Sequence, residues 1–254
     1  MCEDVIGGLL KARDPWTLLM PYDLYERHAV VGELLRDALA DVRGDISVLD
    51  VGGRSGLLER FIPYRVVSLN VDGSGDLWGD GCVLPLADRS FTAVVSIDAL
   101  EHLPKESRPP FLGECLRVAQ RCVVLAAPFG SQGHAAYEKR LDELHRSVRG
   151  QSHAYLSEHI RYGLPDIAEL GRLVEEADAA CSRLSFAGDY VRQGKLFERS
   201  VLGQSQEGWL SYILNMYRYV ASLALFQPVR LRDQPGTRSN RFYLALEKTS
   251  PGEN

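Results

Sequence analysis

Three observations predict a doubly wound α/β fold, with a seven-stranded, mostly parallel sheet and helices on both faces. The first is the stretch Ile46–Gly56, ISVLDVGGRSG, whose Ile46, Val48, Leu49 and Val51 form a near-continuous β-prone run broken by Gly52, Gly53 and Gly56. Such a run is expected of a strand buried on both faces of a parallel sheet. The second is the recurrence of similar runs at Tyr64–Val71, just before Asp80, and at Phe91–Ile97, Arg121–Ala127, Cys181–Phe186 and Arg241–Glu247. The third is the helical stripes that stand between these runs, among them Phe111, Leu112, Cys115, Leu116 and Val118.

The chain has 254 residues, enough to bury the core of one large α/β domain with a decorated surface. The reading is a single domain, 1–254, with a helical cap at 1–45, a cofactor-binding half at 46–128, a helical insertion or substrate lid at 131–163, and the rest of the sheet at 164–249. A formal net charge of -5 argues against a general nucleic-acid or anionic-membrane binder and leaves a small molecule as the expected substrate. Cys2, Cys82, Cys115, Cys122 and Cys181 form no C-x-x-C pair and no zinc spacing, so reduced thiols in a cytoplasmic protein are expected. The N-terminal stretch carries no signal-like apolar core, and no run reaches the length of a membrane span.

Taken in order, Leu24, Val31, Leu34, Leu35 and Ala38 give a helix from about Pro21 to Leu39 one apolar stripe. Packing is the leading reading of that helix; Tyr22, Tyr25, Arg27 and His28 also suit a lid over a bound cofactor. At the glycine turn, the bare backbone admits a ligand. Leu57–Phe61 reads as the start of a helix whose free N–H groups favour an anionic group. Asp72 and Gly73 end the second strand, where a carboxylate is placed for ribose hydroxyls; an ordinary Asp-Gly turn fits equally well.

The dinucleotide pattern G-x-G-x-x-G fails at positions 52–57, which read G-G-R-S-G-L; a nicotinamide oxidoreductase therefore stays a weaker alternative. From Asp50 to Gly56, D-x-G-x-x-x-G resembles motif I of class I S-adenosylmethionine-dependent methyltransferases, with Arg54 where that motif has its middle glycine. The segment Gly79–Pro104, GDGCVLPLADRSFTAVVSIDALEHLP, resembles the same family more specifically. Asp80, Leu84, Pro85, Leu86, Ser90, Phe91, Val94, Ser96, Leu100, Glu101, His102 and Leu103 match its usual text, and Thr92 replaces a common aspartate. The likeness runs from about residue 46 to 128.

This resemblance implies a Rossmann-like sheet, S-adenosyl-L-methionine as cofactor and a cofactor set of Asp50, Gly52, Gly53, Gly56, Asp72, Asp80, Gly81, Cys82, Ile97 and Asp98. In it, Asp80 would accept the adenine amino group, with the backbone of Gly81 and Cys82 beside the ring. Several carboxylates around one crevice would suit a cationic sulfonium.

Glu101 and His102 invite a proton-transfer role, although a structural role at the start of the following segment is the leading reading. Asp98, Glu101 and His102 also resemble the acidic/His metal-binding string of some quinone-pathway O-methyltransferases. L-E-H-L is widespread in the family without a known metal, so no metal set is assigned. The insertion 131–163 holds four of the six histidines and reads as two helices lining a polar aromatic pocket. The candidate catalytic residues are His102, His134, His153 and His159.

Pro165 opens a helix with the stripe Ile167, Leu170, Leu173, Val174 and Ala177. Gly188–Gln206 reads as a polar stretch, and Trp209, Tyr212, Ile213, Met216 and Val220 as a helix packing internally, binding substrate or meeting a second copy in a homodimer. The expected function is methyl transfer to a small-molecule acceptor, with oxygen preferred. A catalytically silent S-adenosylmethionine-binding partner is the alternative from another class.

Overall fold

The computed structural model describes residues 20, 22–177, 179–203, 229 and 231–248. Seven strands, β1 (Ser47–Val51), β2 (Arg65–Asn70), β3 (Leu77–Trp78), β4 (Phe91–Ile97), β5 (Ala119–Pro128), β6 (Cys181–Ala187) and β7 (Arg241–Glu247), form one sheet in the order β3-β2-β1-β4-β5-β7-β6. β1 pairs in parallel with β2 and β4, and β4 with β5; β7 runs antiparallel between β5 and β6. The order reverses between β1 and β4, which opens a crevice at their carboxyl ends, where such sheets take their ligands.

The helices are α1 (Tyr22–Ala38), α2 (Arg108–Val118), α3 (Gln132–Arg149), α4 (Ala154–Tyr162), α5 (Ile167–Glu176) and α6 (Tyr190–Gly203). On one face of the sheet, α1 buries Val30, Val31, Leu34 and Leu35 with Val48, Val95, Val124 and Tyr243. On the other, Phe111, Leu112 and Cys115 of α2 and Leu170 and Leu173 of α5 pack on Leu49, Val94, Val123, Phe242 and Leu244. Each such Leu or Val contributes about 1.5–3 kcal/mol when fully buried. Alternate residues of β5 enter different clusters, Val123 and Leu125 one and Val124 and Ala126 the other. That is why its stretch Cys122–Ala127 is apolar throughout rather than alternating.

The expected helix after the glycine turn is only a single 3-10 turn, Leu58–Arg60. Pro63 and the entry to β2 follow within a few residues, and Leu58 and Ile62 are already buried. The crevice therefore has no long helix N-terminus at that point. α1, coming from ahead of the sheet, shares the same cluster as Leu58 and Ile62. The stretch expected to be merely polar from Gly188 onward contains α6. Its close contacts are made by small residues, with Gly194 against the Tyr137 ring and Gly133 against Tyr190, so it lacks a broad apolar stripe. Pro165 stands just outside α5, whose first turn is capped by Asp166 accepting from the Glu169 N–H at 2.9 Å. The stripe expected at 205–226 and the tail after Thr249 lie outside the described residues. Among the described residues, no helix is long and apolar enough to cross a membrane.

Candidate active site

The glycine turn sits at the carboxyl end of β1, fastened from both neighbouring strands. Gly52 donates its N–H to Leu69 O at 2.7 Å, and Ser96 donates its hydroxyl to Val51 O at 2.8 Å. Gly52 has φ +83 and faces the Ala99 side chain, so a Cβ there would be both strained and obstructed. A Cβ on Gly53 would overlap the Asp50 carboxyl, which lies directly against the turn. Asp50 is buried, its Oδ1 has no hydrogen-bond partner, and burial, helped by Glu59, pushes its pKa up to about 7. Arg54 is exposed, so it does not fill the turn in which the family pattern has glycine. Thr92 sits at the opposite end of the sheet, where its Oγ1 accepts from the Ser47 N–H at 3.1 Å and ties β1 to β4.

Asn70, which the sequence reading did not single out, is the last residue of β2. Its amide donates to Gly52 O at 3.2 Å and Gly53 O at 3.3 Å, bracing the turn. Asp72 lies beyond the strand, exposed, and accepts from the Ser74 N–H at 2.9 Å; those bonds hold its carboxyl below the usual range. Asp80 accepts from the Cys82 N–H at 2.8 Å in the turn after β3, and a Cβ on Gly81 would strike Phe111. Ile97 is buried at the end of β4. Asp98 follows with φ 55, an uncommon conformation for a side-chain-bearing residue, and its carboxylate is held by Arg27 from α1 and Arg241 from β7. Thus α1 is a packed helix that also sends Arg27 into the crevice. His28, by contrast, is buried against Phe61, with Nδ1 bonded to Leu24 O at 2.7 Å.

The insertion brings Glu138, Glu158 and His159 onto the turn that follows Asp98. Ser131 caps α3, and the helix ends at Gly150 with φ 76; after a short connection, α4 returns onto the 3-10 turn Leu100–His102. Arg108 locks this arrangement from below, itself fully buried. It donates to Leu100 O at 3.1 Å, Leu103 O at 3.2 Å, Gly163 O and Glu169 at 2.6 Å. One buried guanidinium therefore fixes the start of the turn, the end of α4 and the beginning of α5 together.

The resulting cluster contains Glu101, His102, Glu138, Glu158 and His159. His102 Nδ1 lies 2.6 Å from Glu158 Oε2, and His159 Nδ1 lies 3.0 Å from Glu138 Oε1. Because a carboxylate only accepts, each Nδ1 carries the proton and each Nε2 is left as an acceptor in the neutral ring. Glu101 is 1% exposed, and burial raises its pKa. Burial and neighbouring His159 lower the His102 pKa, with Glu158 opposing. For His159, burial also disfavours the charged ring, but Glu138, Glu101 and Glu158 outweigh it and the pKa is raised.

His134 touches this cluster from the side. Its Nδ1 donates to Phe129 O at 2.8 Å, its Nε2 is 3.5 Å from Glu138, and its ring stacks on Tyr190. His153 packs against His145, Tyr155 and Phe197. Of the four candidate histidines, the structure brings His102 and His159 together, with ring centroids 5.2 Å apart.

Residues 50–126 match the family model described as a methyltransferase domain. No curated protein matches the chain. Among solved structures, phosphoethanolamine N-methyltransferase 2 of Haemonchus contortus, in complex with phosphomonomethylethanolamine and S-adenosylhomocysteine, is similar at 12% identity and a TM-score of 0.51. The match covers 89% of this chain and 53% of that one, so the chain spans about half the length of that enzyme. A SAM-dependent methyltransferase from Archaeoglobus fulgidus aligns at 14% identity and a TM-score of 0.47, over 89% of this chain and 99% of that one. At 12% identity the likeness to the Haemonchus enzyme speaks to fold alone, and the family match falls on the strands and turns that build the crevice. Residues 50–126 thus match a methyltransferase domain, and they lie in a seven-stranded Rossmann-like sheet whose order leaves a crevice between β1 and β4.

Proposed function

We propose that this methyltransferase acts on an oxygen of a small polar acceptor held between the Leu100–His102 turn and α4. The observation that supports the reading is the meeting of Glu138, Glu158 and His159 from the insertion with Glu101 and His102, next to Asp98 at the switch point.

S-adenosylmethionine, when bound, supplies an electrophilic methyl group. The residues at the turn fit it: the buried, partnerless Oδ1 of Asp50 offers negative charge to a cationic ligand, and Gly53 puts no side chain in the way. Gly52, Gly53 and Gly56 would give the backbone approach, Asp72 the ribose contact, and Asp80, Gly81 and Cys82 the adenine contact; Ile97 and Asp98 close the set. Asn70 keeps the turn in shape. Holding two reactants in line is worth a large share of such a barrier, so much of the chain's own part is positioning.

An acceptor hydroxyl placed on the cluster would hydrogen-bond to the free Nε2 atoms of His102 and His159. One of those imidazoles would take its proton, and the surrounding carboxylates Glu101, Glu138 and Glu158 would balance the charge that forms on the ring. His134 and His153 would act from outside, His134 by steadying Glu138 and His153 by packing the insertion. The test is turnover of the full chain with S-adenosylmethionine against small phenols, hydroxy acids and amines, read as S-adenosylhomocysteine formed. Oxygen acceptors are expected to react, and Glu158→Gln to lower kcat while cofactor affinity stays unchanged. Turnover of amines alone, or a fully active Glu158→Gln, overturns the oxygen reading.

A further inference from the structure

We propose that Glu101, His102 and His159 form a binding site for one divalent transition-metal cation. Three ligand atoms from these residues lie within 4.8 Å of one another, and His102 Nε2 is 3.9 Å from Glu101 Oε1. Coordination at about 2.1 Å sets neighbouring ligand atoms about 3–3.5 Å apart. Small side-chain rotations therefore suffice to close the set around an ion.

Two independent features point to a ligand at this place. Glu101 Oε2 and His159 Nε2 are buried polar atoms without a hydrogen-bond partner, in side chains 2% and 10% exposed. Buried polar atoms are seldom left in that condition, because each costs its full desolvation. In addition, both imidazoles are already oriented as metal ligands usually are. Each holds a glutamate through Nδ1, Glu158 for His102 and Glu138 for His159, which presents Nε2 as the donor and strengthens it.

The charge balance agrees. Three carboxylates surround two imidazoles, and the nearby cations Arg27 and Arg241 are engaged with Asp98. Asp98 is accordingly outside the ligand set, and His159 from the insertion takes the place that a local D-x-x-E-H string would give it. Two imidazole nitrogens and one carboxylate suit zinc, manganese, iron(II) or cobalt better than magnesium or calcium, which prefer all-oxygen sets. With three protein ligands, open positions remain for an acceptor oxygen, which in the metal-loaded protein would meet the ion in place of the two Nε2 atoms. This role for the cation rests on the acceptor reading above; binding of the ion does not.

The test uses the full chain, stripped with chelator and without cofactor or acceptor. It is titrated with Zn2+, Mn2+ and Co2+ by calorimetry, and Co2+ is also followed by visible absorption. One ion per chain is expected, with a Co2+ spectrum indicating mixed nitrogen and oxygen ligands. Glu138→Gln and Glu158→Gln should weaken binding about 10- to 100-fold, His159→Gln more than either, and His145→Ala not at all. Thermal melting of each variant separates lost binding from lost folding. Failure of the native chain to bind any of the three ions, or undiminished binding by a folded His159→Gln, overturns the site. Turnover of an oxygen acceptor by the same chelator-stripped protein would leave the acceptor reading standing.

Discussion

Replacing Asp50 by Asn should stabilise the ligand-free protein and at the same time weaken cofactor binding. The Asp50 carboxyl is buried against Gly53, with Oδ1 unpartnered, and its pKa rises from 3.8 to about 7. In the unfolded chain the group ionises near its ordinary value, so between about pH 4 and 7 the folded state holds a proton that the unfolded state has lost. Stability then falls as pH rises through that window and levels off above it. A shift of about 3 units corresponds to an upper figure of about 4 kcal/mol. Asn has nearly the same shape and cannot ionise. Asp50→Asn should therefore melt above the native protein at pH 8 and close to it at pH 4. Cofactor affinity should move the other way, because loss of a charged partner costs about 1.5–3 kcal/mol, roughly 10- to 100-fold in Kd. For the native chain, S-adenosylmethionine should bind more tightly as pH rises towards 7 and release a proton on binding at pH 6. Calorimetry in buffers of different ionisation enthalpy measures that proton, and scanning calorimetry measures the melting points. A folded Asp50→Asn that binds as tightly as the native chain, with the same pH profile, would refute the reasoning.

Other outcomes follow from the same geometry. Asn70→Ala should loosen the glycine turn and lower cofactor affinity several-fold, since it removes both amide bonds to Gly52 and Gly53. Asp72→Ala should also weaken cofactor binding without affecting folding, and an unchanged Kd would remove Asp72 from the ribose contact. Arg108→Met leaves Glu169 buried without its partner and should cost about 3–5 kcal/mol in urea unfolding. The double variant Arg108→Met/Glu169→Leu should recover part of that loss. Cys115 and Cys122 are buried, and burial pushes the Cys122 thiol up to about 12, so neither should react with a thiol reagent until the protein unfolds. Rapid labelling of both in the native protein would contradict the packing of the sheet.

The central strands β1, β4, β5 and β7 were legible because they are buried on both faces and so read as nearly unbroken apolar runs. Phe91–Ile97 and Arg241–Glu247 have the expected bounds in the structure, and the insertion folds into two helices, as its sequence suggests. What escaped was carried by contacts without a sequence period. α6 packs through Gly194 and Tyr190 rather than through a stripe of leucines, and the helix after the glycine turn is cut short where Pro63 leads into β2. At the site, His102 and the insertion histidines could be marked as chemistry-bearing residues. Nothing in spacing told His159 from His153, because their difference arises in the fold: α4 turns His159 to Glu138 and leaves His153 among aromatic rings. The bracing by Asn70 left only a faint mark, an amide at a strand end beside a glycine turn. The pairing of Asp98 with Arg27 and Arg241 left none, since it joins residues from opposite ends of the chain.

Calorimetric titration of the purified chain with S-adenosylmethionine tests most directly whether the crevice between β1 and β4 is a nucleoside site. Saturable binding of one molecule per chain, weakened by Asp50→Asn, is the predicted result. The absence of any saturable heat, from a protein shown to be folded, would contradict it.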